Sequence, residues 1–337
     1  MPDILLAVDG NSLVHRAFHA LAGSNLRTAD ARPIWAVKGF CSQVFGALER
    51  VGARALVVGF DDRGASVRKE RWPHYKATRK PKPPELGDQL GSTVDLLRAA
   101  GVHVVVPAGL EADDVLASAA RTAADAGWQT VVLTSDRDSF ALIDSSTSVL
   151  RLINGGVSAS PMLTPERLVT LCGVRPEQYR EYAAMRGDTS DNLAGMMGIG
   201  EKTAARLLAE FGTVQAAYDD VDAGGAAVAT ALGRACVGKL LDAENRSAFA
   251  RNVEIMTMRA DLALGLDLAG GGTGCLPLDA ARVGDALRSL ELHTIRTTAL
   301  RVLTDEPAPE TPVRLPAAVP VPVPVPAGPT WTTDTLF

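Results

Sequence analysis

The chain has 337 residues, 47% of them hydrophobic, so it can bury the core of one large domain or of two. A net charge of −5 does not by itself indicate a nucleic-acid-binding protein. The four cysteines form no CxxC pair, which argues against a zinc site or a disulfide framework and is typical of a reducing cytosol. The sequence predicts neither a secretory leader nor a membrane-spanning stretch, so we expect a cytoplasmic protein with no membrane partner.

The first 155 residues or so alternate strand-like and helix-like segments, which is an α/β pattern. The candidate strands are 4–9, 54–61, 102–107, 129–135 and 148–153. Their continuous apolar character is typical of a mostly parallel central sheet with helices on both faces. Helices are predicted between the strands, for example at 34–51 and at 114–126, where Gly127 closes the helix.

From about residue 160 the strand pattern ends and short helices follow. Thr164 and Pro165 supply a helix cap and a proline at the first helical position. A further amphipathic helical region is predicted at 279–303, and nine of the twenty prolines lie in the last 34 residues. We therefore expect an α/β domain at 1–160, a helical region at 161–303 and a disordered, proline-rich tail at 304–337.

Carboxylates recur where the apolar segments end. They are Asp9, Asp61, Glu111, Asp113, Asp114, Asp136, Asp138, Asp188 and Asp191. Parallel strands bring their carboxyl ends to one sheet edge, where such acids raise each other's pKa and favour Mg²⁺ or Mn²⁺. The set therefore predicts a metal-dependent site for phosphate chemistry. Any single acid could instead form a turn or a helix cap, and that alternative fits Asp113 and Asp114 nearly as well.

A basic segment follows Asp61 directly. Residues 63–82 hold eight Lys or Arg against one acid, with Trp72, His74 and Tyr75 interleaved. Cations neutralise backbone phosphates and aromatic faces stack on unpaired bases, so the segment predicts a nucleic-acid contact. The alternative is a solvated basic surface helix, which the position beside the predicted metal edge disfavours.

A glycine-rich turn precedes another predicted helix. Gly198 and Gly200 let backbone N–H groups approach a phosphate at the helix N-terminus, which Lys202 then follows. A plain loop at the start of a helix is the alternative. The turn comes shortly after the acidic run at 187–192, which favours the phosphate-binding interpretation.

These segments resemble, in order, the 5′–3′ exonuclease and flap endonuclease family, in the form found at the N-terminus of bacterial DNA polymerase I. The similarity runs through LLAVDGNSLVHRAFHAL, VVGFDDRGASVRKERWPHYKATR, GLEADDVLA, VVLTSDRDSF and GDTSDNLAGMMGIGEKTAARLL. It implies a PIN/5′-nuclease-like α/β domain, a basic arch at about 63–90 and a duplex-gripping helix–three-turn–helix at about 185–260. It also implies two divalent-metal sites and a K⁺ ion at the helix–three-turn–helix loop. We expect a stand-alone, monomeric nuclease.

Carried over residue by residue, the resemblance divides the acids into two groups. The first carboxylate group is Asp9, Asp61, Glu111, Asp113 and Asp114, and the second is Asp136, Asp138, Asp188 and Asp191. Basic residues near the scissile phosphate would be Lys76, Arg79 and Arg16. The implied DNA contacts are Arg68, Tyr75, Lys80, Lys82, Gly198, Gly200 and Lys202. The sequence departs from the family at His15 and Leu110, where tyrosine is common.

The expected function is metal-dependent hydrolysis of DNA at 5′ flaps or ends in replication and repair. Two alternatives stay open: a non-catalytic DNA-binding module of the same fold, and a PIN-type ribonuclease. Against the first, buried carboxylates without a counter-charge are costly to keep.

The chain ends in Leu336 and Phe337 after the proline-rich spacer. This ending resembles the short Leu-Phe peptides by which bacterial replication and repair enzymes hold the sliding clamp, although the usual glutamine is missing. A disordered tail with chance apolar residues is the alternative.

Overall fold

The computed structural model describes residues 2–305 and centres on a six-stranded sheet. Its strands are β1 (Ile4–Asp9), β2 (Ala55–Gly59), β3 (His103–Val105), β4 (Gln129–Thr134), β5 (Thr147–Arg151) and β6 (Met162–Leu163). The spatial order is β3-β2-β1-β4-β5-β6, and every pair is parallel except β5 with β6. The predicted mostly parallel sheet is confirmed, with β2 and β3 shorter than the sequence indicated.

Helices cover both faces of the sheet. They are α1 (Gly10–Leu21), α2 (Trp35–Val51), α3 (Val67–Arg71), α4 (Pro84–Ala99), α5 (Ala112–Asp125) and α6 (Gly156–Ala159). The helix predicted at 114–126 begins two residues earlier than expected. Leu6 and Val8 of β1 face a core with α2 and α4, whereas Leu5 and Ala7 face a core with α5. This alternation explains why the strand is apolar at every position.

The helical region contains α7 (Pro165–Cys172), α8 (Tyr179–Arg186), α9 (Glu201–Phe211), α10 (Val214–Asp222), α11 (Ala226–Leu232), α12 (Arg234–Leu241) and α13 (Ala243–Met256). Thr164 caps α7 by accepting a hydrogen bond from the Arg167 amide, as predicted. The expectation that strands stop at residue 160 is wrong. β6 joins the sheet, and β7 (Gly187–Asp188) pairs antiparallel with β8 (Leu193–Ala194) around the second carboxylate group.

The last two helices, α14 (Ala280–Ser289) and α15 (His293–Leu303), return to the α/β domain. They pack against α4 and α2 and share the core that lies under β1. The returning chain is fastened to β2, where the Leu56 amide donates to the Gly274 carbonyl at 2.8 Å. The sequence predicts 279–303 as part of a helical DNA-binding region at 161–303, and in the structure these two helices pack on the α/β domain instead of on the other helices of that region.

The predicted arch at 63–90 is shorter in the structure. Leu86 and Leu90 belong to α4 and are buried in the core of the α/β domain. The arch segment is therefore residues 63–83, which contain α3 and a series of turns. Within residues 2–305 no helix is both long enough and apolar enough to cross a membrane. The proline-rich tail with Leu336 and Phe337 lies outside the described residues.

Candidate active site

Carboxylates from separate strand ends line one open cavity of about 590 Å³ at the carboxyl edge of the sheet. They are Asp9, Asp61, Glu111, Asp113 and Asp136. Glu111 and Asp113 also line an adjoining cavity, which contains Asp138 and Asp191. The topology thus brings together seven of the nine predicted acids, as the strand-end pattern predicts. Asp188 lines neither cavity but lies close enough to Asp138 to raise its pKa.

Asp9 is the most constrained of these acids. It ends β1 and caps α1, accepting a hydrogen bond from the Ser12 amide at 2.9 Å. The Thr134 hydroxyl donates to its other oxygen at 2.8 Å. Asp9 is only 5% exposed, and burial raises its pKa to about 7 despite both hydrogen bonds, with repulsion from neighbouring acids adding to the effect.

Asp61 is fixed by groups that sequence reasoning missed. The Asn11 amide donates to it at 2.7 Å, and the Ala112 amide at the start of α5 donates at 3.0 Å. The close approach of β2 to α5 requires Gly59, since a Cβ there would lie 2.9 Å from the Cβ of Val115. Asn11 could have been predicted as a site residue from the sequence, because it lies only two residues after Asp9.

The two carboxylate groups repel each other electrostatically. Burial raises the pKa of Asp113 well above its ordinary value, and repulsion from Asp9, then Asp136, raises it further. Burial likewise raises the pKa of Asp138 to about 7, with added repulsion from its neighbours Asp136, Asp188 and Asp191. The site therefore carries more negative charge than its own cations balance.

Asp114 does not join this site. It is fully buried and pairs with Arg68, each carboxylate oxygen lying 2.7 Å from a guanidinium nitrogen. The backbone amides of Glu111 and Arg259 also donate to it. Burial acts to raise the pKa of Asp114, but Arg68 and these amides outweigh it, so the pKa is lowered. Asp114 is a structural acid here, and its assignment as a metal ligand is corrected.

The same contacts correct the DNA-binding assignments of Arg68 and Tyr75. Arg68 also donates to the carbonyls of Ile255 and Thr257, which leaves it little capacity to bind a phosphate. Tyr75 is buried against Leu193 and Ile255, and its hydroxyl donates to Glu111 at 3.1 Å. Its ring is therefore not available for stacking on a base.

Lys76 and Arg79 do reach the site, as predicted. The Lys76 ammonium lies 2.8 Å from Glu111, and Arg79 forms an ion pair with Asp191. Burial acts to lower the pKa of Lys76, but Glu111 and Asp191 outweigh it and the pKa is raised, so Lys76 stays charged. Its backbone is in the left-handed region at φ 57°, held by a hydrogen bond from its amide to the Asp191 carbonyl.

The remaining predicted cations lie at the rim. Lys82 and Arg16 line the cavity, and Arg16 donates to Asn154 at 3.0 Å. Lys80 is exposed. His15 also lines the cavity, and burial, aided by the charge of Lys82, lowers its pKa to about 4. The imidazole is therefore neutral near neutral pH.

The glycine-rich turn forms as predicted, but a side chain occupies part of it. Gly198 has φ 76°, and the Lys239 ammonium donates to its carbonyl at 2.7 Å. Asn245 holds the same turn by accepting from the Met197 amide at 2.6 Å. Gly200 caps α9 without a side-chain hydrogen bond, and Lys202 is exposed. Since Lys239 already places a positive charge on this carbonyl, the turn does not fit a K⁺ ion at that position.

The carboxylate site does fit divalent cations in its chemistry. All its donors are carboxylate oxygens, the hard ligands that Mg²⁺ and Mn²⁺ prefer. Burial, with added repulsion from neighbouring acids, raises the pKa values of Asp9, Asp113 and Asp138. Among residues 2–305, however, no three acidic, histidine or cysteine side chains lie together closely enough to hold an ion as they stand. In the same site, Lys76 pairs with Glu111 and Arg79 pairs with Asp191.

Comparison with known families agrees with this architecture. The model described as "5'-3' exonuclease, N-terminal resolvase-like domain" matches residues 4–173, and "5'-3' exonuclease, C-terminal SAM fold" matches 174–271. The chain therefore belongs to the 5′–3′ exonuclease family.

Among its relatives are bacterial DNA polymerases. It is 38% identical over 260 residues to DNA polymerase I of Mycobacterium tuberculosis, covering 77% of this chain and 28% of that protein. It is 39% identical over 218 residues to the thermostable DNA polymerase I of Thermus aquaticus, covering 65% of this chain and 25% of that protein. The chain thus matches about a quarter of the length of these relatives.

Solved structures share the fold. The T5 D15 protein co-crystallized with metal ions aligns with a TM-score of 0.61 at 19% identity, covering 89% of this chain and 99% of that one. The catalytic core of Rad2 in complex with DNA substrate aligns with a TM-score of 0.58 at 16% identity, covering 91% and 93%.

Proposed function

We propose that this protein is a divalent-metal-dependent 5′–3′ exonuclease and flap endonuclease that acts on DNA in replication and repair. The observation that carries the proposal is one cavity lined by Asp9 and Asp113, whose pKa values are raised, and by Lys76, whose ammonium pairs with Glu111. Such acids are unfavourable unless cations pair with them, and a phosphodiester is the substrate that metals and a lysine together attract.

The acids would hold two ions, Mg²⁺ or Mn²⁺. The first would be held by Asp9, Asp61, Glu111 and Asp113, and the second by Asp136, Asp138, Asp188 and Asp191. Bound there, the ions would lower the pKa of an attacking water and stabilise charge on the attacking and leaving oxygens. Asn11 and Thr134 orient Asp61 and Asp9, so the donor oxygens are fixed before substrate arrives.

Lys76 and Arg79 supply the protein's own positive charge. Lys76 pairs with Glu111 and Arg79 with Asp191, so if these two acids held divalent ions, both cations would be free to bind the scissile phosphate. Lys76 remains protonated and its backbone is held in place, so it is preorganised to stabilise the negative charge that develops during hydrolysis. Arg16, at the rim, would position the neighbouring phosphate.

Two alternatives remain, a non-catalytic DNA-binding module and a PIN-type ribonuclease. Incubation with Mg²⁺ and labelled 5′-flap DNA, blunt duplex or hairpin RNA separates all three. Cleavage of the flap DNA supports the proposal, cleavage of RNA alone favours the ribonuclease, and binding without cleavage favours the module. Asp113→Asn should abolish cleavage of the flap DNA. Asp125 is an exposed acid on the same helix, so Asp125→Asn should cleave flap DNA at the wild-type rate.

Monomeric state and cytoplasmic location belong to this proposal as predictions. Gel filtration with light scattering tests the first, and cell fractionation tests the second. The resemblance also implies a K⁺ ion at the glycine-rich turn, which is disfavoured here because the ammonium of Lys239 already binds the Gly198 carbonyl.

Binding of the sliding clamp through Leu336 and Phe337 is a further prediction. Two large apolar side chains that follow a proline-rich stretch gain free energy only when a groove buries them. A peptide of the last 15 or so residues should bind purified clamp, and deleting both residues should remove any clamp-dependent stimulation. Equal activity of the deleted and full chains on clamp-loaded DNA would contradict it.

A further inference from the structure

Three arginines form a second basic group outside the carboxylate cavity. Arg137 lies between two acids of the second carboxylate group, Arg151 ends β5, and Arg186 ends α8. Arg137 and Arg186 approach the same oxygen of Glu201, at 3.9 and 3.7 Å. Burial lowers the pKa of Arg151, and the neighbouring charge of Arg137 lowers it further. The three guanidinium groups therefore share one surface region.

This arginine group is poorly neutralised. Glu201 is the acid that ion-pairs with it among the described residues, and neither separation is short enough for a hydrogen bond. Glu201 is itself 58% exposed, so water screens the attraction. The buried Nε of Arg151 has no hydrogen-bond partner. The Nε of Arg186 donates to the Gly187 carbonyl at 3.3 Å, and the remaining guanidinium donors of the group favour an oxyanion with several acceptor atoms.

Aromatic rings hold two of the arginines in place. Arg186 lies over Tyr182 with its guanidinium carbon 5.8 Å from the ring centroid, and Arg151 lies over Phe140 at 5.7 Å. Stacked guanidinium groups lose less conformational entropy when they bind a planar or tetrahedral anion. The group is thus built to receive an anion, unlike solvated surface arginines.

The position of the arginine group in the fold indicates which anion it binds. Glu201 is the first residue of α9 and directly follows the glycine-rich turn, while Arg137 and Arg186 adjoin Asp138 and Asp188 in the chain. The arginine group therefore lies between the second carboxylate group and the N-terminus of α9. We propose that Arg137, Arg151 and Arg186 bind a backbone phosphate of the DNA substrate, which takes the place of Glu201. This inference rests on the proposed nuclease function.

The inference is tested by measuring how tightly the protein binds DNA under conditions that prevent cleavage. Fluorescence anisotropy with 5′-flap DNA in EDTA, at a series of KCl concentrations, gives the affinity and its salt slope. Arg137→Gln should weaken binding about tenfold, as expected for a lost charged hydrogen bond, and reduce the salt slope by about one. Glu201→Gln should tighten binding, because the competing carboxylate is gone. Arg288→Gln on α14 is the control, since Arg288 is 53% exposed against 51% for Arg137.

Arg186→Gln should repeat the effect of Arg137→Gln. The Arg186 side chain is only 17% exposed, so Arg186→Gln could also unfold the protein. Its binding result is therefore used only if its melting temperature equals that of the wild type. If Arg186→Gln does not fold, the test rests on Arg137→Gln. Equal affinity and slope for wild type and Arg137→Gln, or an equal loss for Arg288→Gln, would overturn the inference. In either case flap cleavage by the wild type would still stand, so failure here is distinct from failure of the proposed function.

Discussion

Stability without divalent cations should fall as the pH rises. In Asp9, burial moves the pKa from 3.8 to about 7, so the folded state holds a proton that the unfolded state releases. Between these values the unfolded chain binds fewer protons, and the free energy of unfolding therefore decreases with pH. A shift of about three pKa units corresponds to about 4 kcal/mol lost from near pH 4 to above pH 7. Asp138 acts in the same direction. His15 opposes both between about pH 4 and about pH 6.5, because its pKa is lowered on folding, so the net fall is what Asp9 and Asp138 contribute beyond that gain.

Mg²⁺ should reverse this loss, because it binds the ionised carboxylates and competes with protons. At a concentration of about 100 times its dissociation constant, one ion adds about 2.7 kcal/mol to the free energy of unfolding. Calorimetry and urea unfolding at about pH 5 and about pH 8, with and without Mg²⁺, measure both effects, and Mg²⁺ should stabilise far more at the higher pH.

The variant Asp9→Asn isolates the cause. Asparagine also caps a helix well, so the hydrogen bond from Ser12 is kept while the charge is lost. Asp9→Asn should be more stable than wild type at high pH without metal, and it should show a smaller response to Mg²⁺. Stability that does not fall between about pH 5 and about pH 7, or an equal Mg²⁺ effect in wild type and Asp9→Asn, would refute this reasoning.

Three further outcomes are expected. Lys76→Ala should reduce kcat about 10²- to 10³-fold with little change in affinity, measured by single-turnover flap cleavage; an effect on affinity alone would make Lys76 a backbone contact. Asp114→Ala should destabilise the fold by about 3–5 kcal/mol in urea, because it leaves the charge of Arg68 buried and unpaired, and a neutral result would contradict the structural role. Exchange of K⁺ for Na⁺ should not alter duplex binding by wild type but should alter it for Lys239→Ala; K⁺ dependence in wild type would restore the ion at this turn.

Sequence reasoning located the sheet and the acids because each depends on local pattern. An apolar run followed by an acid specifies a strand and a residue at its carboxyl end, and a parallel sheet gathers such ends without further information. Asp9, Asp61 and Asp136 were found in this way.

The errors arose where distant segments decide the outcome. Asp113 and Asp114 are adjacent, yet the helix turns about 100° between them, and only one faces the cavity. The partner that fixes Asp114 is Arg68, which is 46 residues away in sequence. The packing of α14 and α15 on the α/β domain likewise depends on contacts that local periodicity does not encode.

Arg68 limits how the arch segment can move. Its guanidinium group binds Asp114 of α5 and the carbonyls of Ile255 and Thr257 at the end of α13. These contacts attach α3 both to the α/β domain and to the helical region. Moving α3 away from α5 would separate Arg68 from Asp114 and leave a buried charge without its partner, which costs about 3–5 kcal/mol. A conformational change of the arch segment that admits a 5′ end would therefore occur after Arg68, in the turns that lead from α3 to Pro83 before α4 begins.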